Sequence, residues 1–224
     1  MNIFAAMQLD TVIFDMDGLL IDSEPLWNEA ANEIFLQYQL QLTPKQHAIT
    51  MGLRTIEFVE WWFGQYKISL GYAQKASTDI LESVIQKILI KGKPMPGLEH
   101  IFNFFISRHF KIGLASSSDM QVINVVVNRL GIRNYLYAIS SASELPYGKP
   151  HPQVYLDCAA AMQSHPGTCI CFEDSFNGMI AAKAARMKCV VVPSHEDSKQ
   201  PRFNAADAKI SSLQNFNDLL MQTL

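Results

Sequence analysis

The amino-acid sequence predicts an α/β fold: a Rossmann-like parallel sheet covered by helices on both faces, with a small all-helical insert after the first strand. Short apolar, β-branched segments alternate with segments of helical periodicity over most of the chain, which is typical of parallel strands joined by crossover helices. Residues 25 to about 91 break this alternation, because they contain helical patterns and no good strand. The 224 residues suffice for a core that carries a smaller inserted domain.

Five segments are predicted to be strands. The first, residues 9–15 (LDTVIFD), is short, apolar and β-branched, and it ends in an acid. The others have the same character and lie at residues 111–116, 137–141, 169–173 and 189–193. Helical patterns between the strands lie at residues 120–130, 154–162 and 179–187, and the first of these stops at Gly131, a residue suited to ending a helix.

The insert is predicted to consist of helices at residues 26–38, 54–66 and 72–90. The segment KPMPG at residues 93–97 has the composition of a hinge-like return to the core. We therefore expect a core domain of residues 1–22 and 95–224, and a helical cap domain of residues 23–94. Ligands of open parallel sheets bind at the carboxyl ends of the strands, so an insert at this place would cover the binding site.

Composition and charge exclude some classes of function. Hydrophobic residues make up 49% of the chain and charged residues 17%, as in a packed globular protein. The formal net charge of −3 argues against a nucleic-acid partner. Apolar runs are far shorter than the ~20 residues of a membrane-spanning helix, so no membrane partner is expected. The apolar stretch at residues 3–7 lacks a basic region, and we expect no secretory signal there.

Four cysteines are expected to be reduced and buried. They are Cys158, Cys169, Cys171 and Cys189, and their spacing contains no CxxC pair. Two of them lie two residues apart in a predicted strand and would face the same side as small buried groups. Reduced cysteines make the cytoplasm the expected location. The protein is also expected to be a monomer.

Polar residues follow several of the predicted strands and would converge at one edge of the sheet. They are Asp15 and Asp17 after the first strand, Ser116 to Ser118 after the second, Glu173 and Asp174 after the fourth, and Lys149 in a loop before a helix. Several carboxylates in one place need a cation, and oxygen ligands without a nearby His or Cys favour Mg²⁺.

Each of these residues has a chemical interpretation and an ordinary structural one. Asp15 could attack phosphorus as a fixed carboxylate, and Asp17 could transfer protons as acid and base, but Asp-x-Asp is also common in turns and caps. The serines could bind phosphate or could only cap a helix. Lys149 could pair with Asp15 and the phosphate, or could lie on the surface.

Four segments together resemble the motifs of the haloacid dehalogenase superfamily of phosphatases. They are DMDGLLIDSEP, LASSS, YGKPHPQVY and FEDSFNGMIAA, and they occur in the expected order. The helical insert resembles the cap of the branch that contains sugar-phosphate phosphatases and β-phosphoglucomutases. Within that branch the chain is most similar to bacterial 2-deoxyglucose-6-phosphate phosphatases, also described as hexitol phosphatases.

The resemblance implies roles for individual residues. Asp15 would be the nucleophile and Asp17 the acid/base, and Ser116, Ser117 and Lys149 would bind the phosphate. Mg²⁺ would bind to Asp15, to the main-chain carbonyl of Asp17 and to Asp174, with Glu173 behind the metal ligands. The substrate would be a small phosphorylated metabolite, namely a hexose or hexitol 6-phosphate.

Selection of the substrate is expected to depend on the insert, with Trp27 and Arg54 as the main candidates. In β-phosphoglucomutases the position that matches Trp27 is a histidine, which helps to couple sugar binding to the acid/base. Arg54 could bind a sugar hydroxyl or could help to start a helix. Trp61 and Trp62 are expected to fill the core of the insert.

The sequence is also compatible with three other functions. A phosphosugar mutase would use the same aspartyl-phosphate and return the phosphoryl group to another hydroxyl. A phosphorylatable or binding protein without enzymatic activity would have no need of Asp17. A dehalogenase would need no metal, and the acids at 173 and 174 therefore argue against it.

Overall fold

A computed structural model describes residues 8–195 and 197–224, and the apolar stretch at residues 3–7 lies outside this range. The described residues contain a six-stranded sheet with the order β3-β2-β1-β4-β5-β6, and every pairing is parallel. The strands are β1 Thr11–Phe14, β2 Lys111–Ser116, β3 Ala138–Ser141, β4 Cys169–Glu173, β5 Lys188–Val191 and β6 Ala208–Lys209. The predicted α/β class with a parallel sheet is confirmed.

Among the described residues, helices lie between the strands and after the last one. In the segment between β1 and β2 they are α1 Glu24–Phe35, α2 Pro44–Ile49, α3 Thr55–Gln65, α4 Ala73–Lys91 and α5 Leu98–Ile106. In the rest of the described chain they are α6 Met120–Arg129, α7 Gln153–Ala161, α8 Phe176–Ala184 and α9 Asp218–Thr223.

Side chains of the central strand alternate between two apolar cores. Val12 and Phe14 pack into the larger core on one face of the sheet, together with residues of α5 and α6. Ile13 points to the opposite face and packs into a second core with residues of α7 and α8. Because both faces of β1 are covered, its backbone is immobilised, and the residue that follows it, Asp15, has a fixed position.

Sequence patterns predicted the long elements and missed the short ones. The five predicted strands are confirmed, whereas β6 has only two residues, too few to show a strand pattern. The predicted insert helices correspond to α1, α3 and α4. Helix α2 was not predicted, although Thr43 and Gln46 form the capping box that marks its start. Helix α5 was also missed, although its buried residues have helical spacing.

The insert is connected to the core by two antiparallel chain segments. The amide N–H of Asp22 donates to the carbonyl of Lys93 at 2.9 Å, and that of Met95 donates to Leu20 at 2.9 Å. Helices α1 and α3 pack against α4, and the apolar residues they bury are continuous with the larger core. The two connecting segments therefore lie near residues 22 and 95. On this basis we propose the division into a core domain and a cap domain.

The four cysteines are free and buried, as predicted. Burial raises the pKa of the Cys158 thiol to about 12. Cys171 packs against the sulfur of Met187 in the second core. Within the described residues, no helix has both the length and the apolar character needed to cross a membrane.

Candidate active site

Polar residues meet at the carboxyl edge of the sheet, as the sequence predicts. Asp15 follows the last residue of β1, Ser116 ends β2, and Glu173 ends β4. Strand β1 pairs with both β2 and β4, which places the three strand ends side by side. All three residues are buried, with Asp15 7% exposed and Glu173 completely enclosed. Buried charges are costly unless they are paired, so the partners of these groups decide what the site can do.

Lys149 lies inside this cluster and not on the surface of the protein. Only 2% of the residue is exposed. Its ammonium nitrogen Nζ lies 2.5 Å from Oδ1 of Asp15 and 2.6 Å from Oε1 of Glu173, and it donates to the carbonyl of Ala115 at 3.2 Å. Burial lowers the pKa of this ammonium group, but the two carboxylates outweigh burial and the pKa is raised. Lys149 therefore remains charged and bridges the two acids. The hydroxyl of Tyr155 also donates to Glu173.

Acids outnumber cations at the sheet edge. Carboxylate oxygens of Asp15, Glu173 and Asp174 lie within 4.8 Å of one another, whereas Lys149 contacts only the first two. Burial, followed by repulsion from the other two acids, raises the pKa of Asp174 well above its usual range. Burial also raises the pKa of Asp15, an effect that Lys149 only partly offsets. This excess of negative oxygen donors fits a hard divalent cation such as Mg²⁺.

A glycine gives this cluster room. Gly18 has a φ of +72°, and a Cβ at this position would lie 2.1 Å from Oδ2 of Asp174. A side chain would therefore both strain the backbone and collide with the acid. The turn after β1 can approach Asp174 only because residue 18 is glycine.

Asp17 is bound by side chains from both sides of the site. Its Oδ1 accepts hydrogen bonds from the Ser23 hydroxyl at 2.6 Å and from the indole N–H of Trp27 at 2.9 Å. Its Oδ2 accepts from the Ser118 hydroxyl at 2.6 Å. The carboxylate thus has partners on the insert side and at the edge of β2. A side chain that only closed a local turn would not need these distant donors.

The two serines predicted to bind phosphate lie at the site, with different contacts. The Ser116 hydroxyl oxygen accepts the amide N–H of Ser118 at 3.0 Å, whereas the Ser117 hydroxyl donates to the carbonyl of Gly52 at 2.8 Å. Both serines line the cavity described next. Phosphate binding by these hydroxyls stays a prediction, and Ser117 additionally connects the core to the insert.

A cavity lies between the sheet edge and the insert. On the core side it is lined by Asp15, Asp17, Asp174 and Ser116 to Ser118. On the insert side it is lined by residues of α1, α3 and α4 and by the region from α2 to Thr55, among them Glu24, Trp27, Asn28 and His47. Burial, then the charges of Asp17 and Asp22, raises the pKa of Glu24 to about 7. The cavity is therefore acidic at its core end and mixed in character at its insert end.

Arg54 does not line this cavity. Its guanidinium donates to the carbonyl of Leu145 at 2.5 Å and forms an ion pair with Glu57 at 2.6 Å. Glu57 in turn accepts the amide N–H of Gly148 at 3.4 Å. The structure thus brings Arg54 to the core loop that carries Lys149, whereas Trp27 lies both at the cavity and on Asp17.

The loop before Arg54 also rests on the core. The Asn177 amide donates to the carbonyl of Met51 at 3.0 Å. Gly52 has a φ of +83°, and a Cβ there would lie 2.7 Å from the hydroxyl of Ser175. The insert therefore closes on the core through backbone groups, at a distance too short for a side chain.

Several residues of the site were not predicted from the sequence. Ser23 and Ser118 bind Asp17, Tyr155 binds Glu173, and His47 lines the cavity. Ser118 was among the serines predicted at this edge of the sheet, and only its contact with Asp17 was not predicted. Tyr155 and His47 have no local sequence pattern that distinguishes them from ordinary helix residues.

Comparisons with known proteins agree with this geometry. The profile of the family described as haloacid dehalogenase-like hydrolase matches residues 12–192. The chain is 39% identical over 207 residues to hexitol phosphatase B of Escherichia coli K12, covering 92% of this chain and 93% of that protein. It is 30% identical to a phosphorylated carbohydrates phosphatase of Thermotoga maritima, over 85% of this chain and 89% of the relative.

A solved structure has the same overall fold. A β-phosphoglucomutase from Clostridium difficile superimposes with a TM-score of 0.82 at 24% identity, and 96% of each chain is covered. At this level of identity the likeness concerns the fold alone.

Proposed function

Because the chain belongs to the haloacid dehalogenase-like hydrolases, we propose that it is a magnesium-dependent phosphatase that hydrolyses hexose or hexitol 6-phosphates through an aspartyl-phosphate on Asp15. Its broader class, a phosphoric monoester hydrolase, follows from the family and from the phosphatase relatives. The observation that carries the finer proposal is the buried cluster at the sheet edge, in which Lys149 bridges Asp15 and Glu173 beside Asp174.

In the first step, a carboxylate oxygen of Asp15 attacks phosphorus, and the bond from phosphorus to the sugar oxygen breaks. Asp17 donates a proton to the departing sugar oxygen. In the second step, Asp17 takes a proton from water, the water oxygen attacks phosphorus, and the bond to Asp15 breaks. Inorganic phosphate leaves, and both acids return to their starting states. Lys149 stabilises the negative charge on Asp15 and on the phosphoryl oxygens throughout.

The residues present fit a magnesium ion. Asp15 and Asp174 would contribute carboxylate oxygens, and Asp17 would contribute its main-chain carbonyl. Glu173 accepts hydrogen bonds from Lys149, Tyr155 and Ser175, so we assign it the role of orienting the lysine. When bound, Mg²⁺ reduces the repulsion between the Asp15 carboxylate and the phosphate dianion.

Hydrolysis is favoured over phosphoryl transfer between two sugar hydroxyls. A mutase must keep water away from the aspartyl-phosphate while the sugar intermediate reorients. In this chain the indole N–H of Trp27 donates to Oδ1 of Asp17 at 2.9 Å. Trp27 cannot exchange a proton, so this hydrogen bond orients the acid/base without coupling it to the sugar. Asp17 can then activate water whenever water reaches the site.

A panel of phosphosugars tests the proposal, with release of inorganic phosphate as the readout. We expect release from hexose and hexitol 6-phosphates in the presence of Mg²⁺. In parallel, glucose 1-phosphate is supplied with catalytic glucose 1,6-bisphosphate, and both glucose 6-phosphate and inorganic phosphate are followed. Rapid isomerisation with little phosphate release would contradict the phosphatase and support the mutase.

A further inference from the structure

We infer that the insert side of the cavity binds the uncharged hydroxyl end of the substrate through His47 and Asn28, and that it rejects molecules with a second anionic group. This inference rests on the proposed function, because it places the reacting phosphate at the core end of the cavity. It concerns which phosphate esters are accepted and which residues of the insert distinguish them.

His47 is a buried polar residue with one ring nitrogen that lacks a partner among the residues the structure describes. It lies in α2, lines the cavity and is 7% exposed. Its Nε2 is enclosed and forms no hydrogen bond within the described part of the chain. Leaving such an atom unpaired costs about 1–3 kcal/mol and therefore calls for an explanation, and the partner that we propose is a hydroxyl group of the substrate. The ring lies parallel to that of Phe58, with an interplanar angle of 14° and centroids 5.9 Å apart, which restricts its orientation.

The chemistry of this ring suits a hydroxyl group. Burial lowers the pKa of His47, so the ring is neutral near pH 7. A neutral imidazole has one N–H donor and one acceptor nitrogen, and a hydroxyl likewise both donates and accepts. A carboxylate or phosphate can only accept and would prefer a charged donor.

Asn28 adds a second group of the same kind. It lies in α1, one turn after Glu24, and lines the cavity. None of the hydrogen bonds among the described residues uses its side-chain amide. The amide offers both donors and an acceptor to a polyol. Two neutral groups of mixed donor and acceptor character thus face the space beyond the catalytic acids.

The charged residues around the cavity explain why a second anionic group on the substrate would be rejected. Among residues 8–195 and 197–224, none that lines the cavity is a lysine or an arginine. Lys149 is held by Asp15 and Glu173, and Arg54 is held by Glu57 and by the carbonyl of Leu145. The insert side contributes the acidic residue Glu24 and no cation to the described lining. A second phosphate or a carboxylate would therefore be desolvated without a counter-ion.

A matched pair of substrates tests the exclusion on the wild-type protein. Glucitol 6-phosphate and 6-phosphogluconate differ only at carbon 1. This carbon belongs to a hydroxymethyl group in the first compound and to a carboxylate in the second. We expect kcat/KM for the acid to be lower by ~10²-fold or more, since an unpaired buried charge is costly. Equal kcat/KM values for the two esters would overturn the exclusion.

Substitution of His47 tests the hydroxyl contact. His47→Leu should lower kcat/KM for glucitol 6-phosphate by ~10-fold, the value of one hydrogen bond that leaves a hydroxyl unpaired. Phenyl phosphate, which has no hydroxyl at its far end, should be hydrolysed within about twofold of the wild-type rate. His47→Gln keeps a donor and an acceptor and should recover part of the loss. Lys45→Ala, on the exposed surface of the same helix, is the control and should change neither substrate.

The outcomes separate this inference from the proposed function. Equal losses on both substrates, or no loss on glucitol 6-phosphate, would overturn the role of His47 while the phosphatase proposal stands. Wild-type protein that hydrolyses phenyl phosphate but no polyol phosphate would overturn the proposed sugar phosphatase, and the inference with it. Thermal unfolding of each variant shows whether a loss comes from misfolding, and His47→Gln then decides the outcome.

Discussion

The sheet edge and the insert treat their polar groups in opposite ways. At the sheet edge, Lys149 and its two carboxylate partners form a closed set of short contacts at 2.5 and 2.6 Å. On the insert side of the cavity, His47 keeps an enclosed nitrogen without a partner within the described residues. Lys149 thus has its partners within the protein, whereas on our inference a ligand supplies the missing partner of His47. Under the proposed function, the core contributes the groups that react and the insert contributes the groups that select the substrate.

The two regions also differ in what holds them. The sheet edge is fixed by β1, β2 and β4, which are buried on both faces. On the side of the cavity away from the connecting segments, the insert meets the core through single hydrogen bonds to main-chain carbonyls, such as those of Gly52 and Leu145. Loss of a group that reacts removes the covalent path, whereas one hydrogen bond contributes about 1 kcal/mol. Substitutions of the reacting groups in the core should therefore lower activity more than substitutions in the insert, and four predictions measure this difference.

The largest effect is expected from Asp15→Asn. An amide is a poor nucleophile, so the covalent path is lost and kcat/KM should fall by ~10⁴-fold or more. Thermal unfolding should change little, because Lys149 keeps its ion pair with Glu173. Asp10→Asn, at the opposite end of β1, is the matched control and should retain turnover. Turnover by Asp15→Asn close to that of the wild type would disprove the mechanism.

The second-largest effect is expected from removal of the metal. A chelator should stop turnover, and Mg²⁺ should restore it, whereas Ca²⁺ should bind but support little activity because its coordination is looser. Binding can be followed without activity, because Mg²⁺ at 100 times its Kd stabilises the fold by about 2.7 kcal/mol. Asp174→Asn should lose this shift in Tm and should be more stable than the metal-free wild type, since one of three repelling carboxylates is gone. An equal Mg²⁺ shift in both proteins would place the ion elsewhere.

These core predictions come largely from features visible in the sequence. Residues 11–14 are apolar and β-branched, and an acid follows them, so both the strand and its polar end could be predicted. The position of Lys149 could not be derived from local pattern, because its partner Asp15 is 134 residues away. The resemblance to a known family placed Lys149 on the phosphate, and in the structure its Nζ lies 2.5 Å from Oδ1 of Asp15.

The insert was harder to predict, and the reason is physical. Whether Arg54 faces a cavity or the core depends on how the insert docks on residues 142–148, about 90 positions further along the chain. His47 lies in a six-residue helix that is too short to show periodicity. Its proposed role rests on a ring nitrogen that has no partner within the described residues, and a sequence does not show whether a contact is made.

Trp27→Phe tests the hydrogen bond between the insert and Asp17. Phenylalanine keeps an aromatic face at the cavity but removes the N–H that donates to Asp17. Ser23 and Ser118 still hold the carboxylate, so we expect kcat to fall only ~3- to 10-fold, with KM within about twofold. Trp61→Phe, at a site 48% exposed, is the control and should change neither constant. A change confined to KM would show that Trp27 acts only as a wall of the pocket.

The smallest effect is expected from Arg54→Lys. The guanidinium reaches Leu145 and Glu57 at the same time, and a lysine has a single nitrogen that cannot reproduce both contacts. One lost hydrogen bond between insert and core should reduce the stability of the closed arrangement by about 1 kcal/mol, which corresponds to a rise in KM of ~5-fold.

The rise should be the same for every substrate, because Arg54 does not line the cavity. Arg133→Lys, on the exposed surface, is the control and should leave KM unchanged. If Arg54 bound a sugar hydroxyl instead, KM would rise for glucitol 6-phosphate and not for phenyl phosphate. The two substrates thus distinguish a residue that closes the insert from one that selects the sugar, and the contacts to Leu145 and Glu57 predict the first.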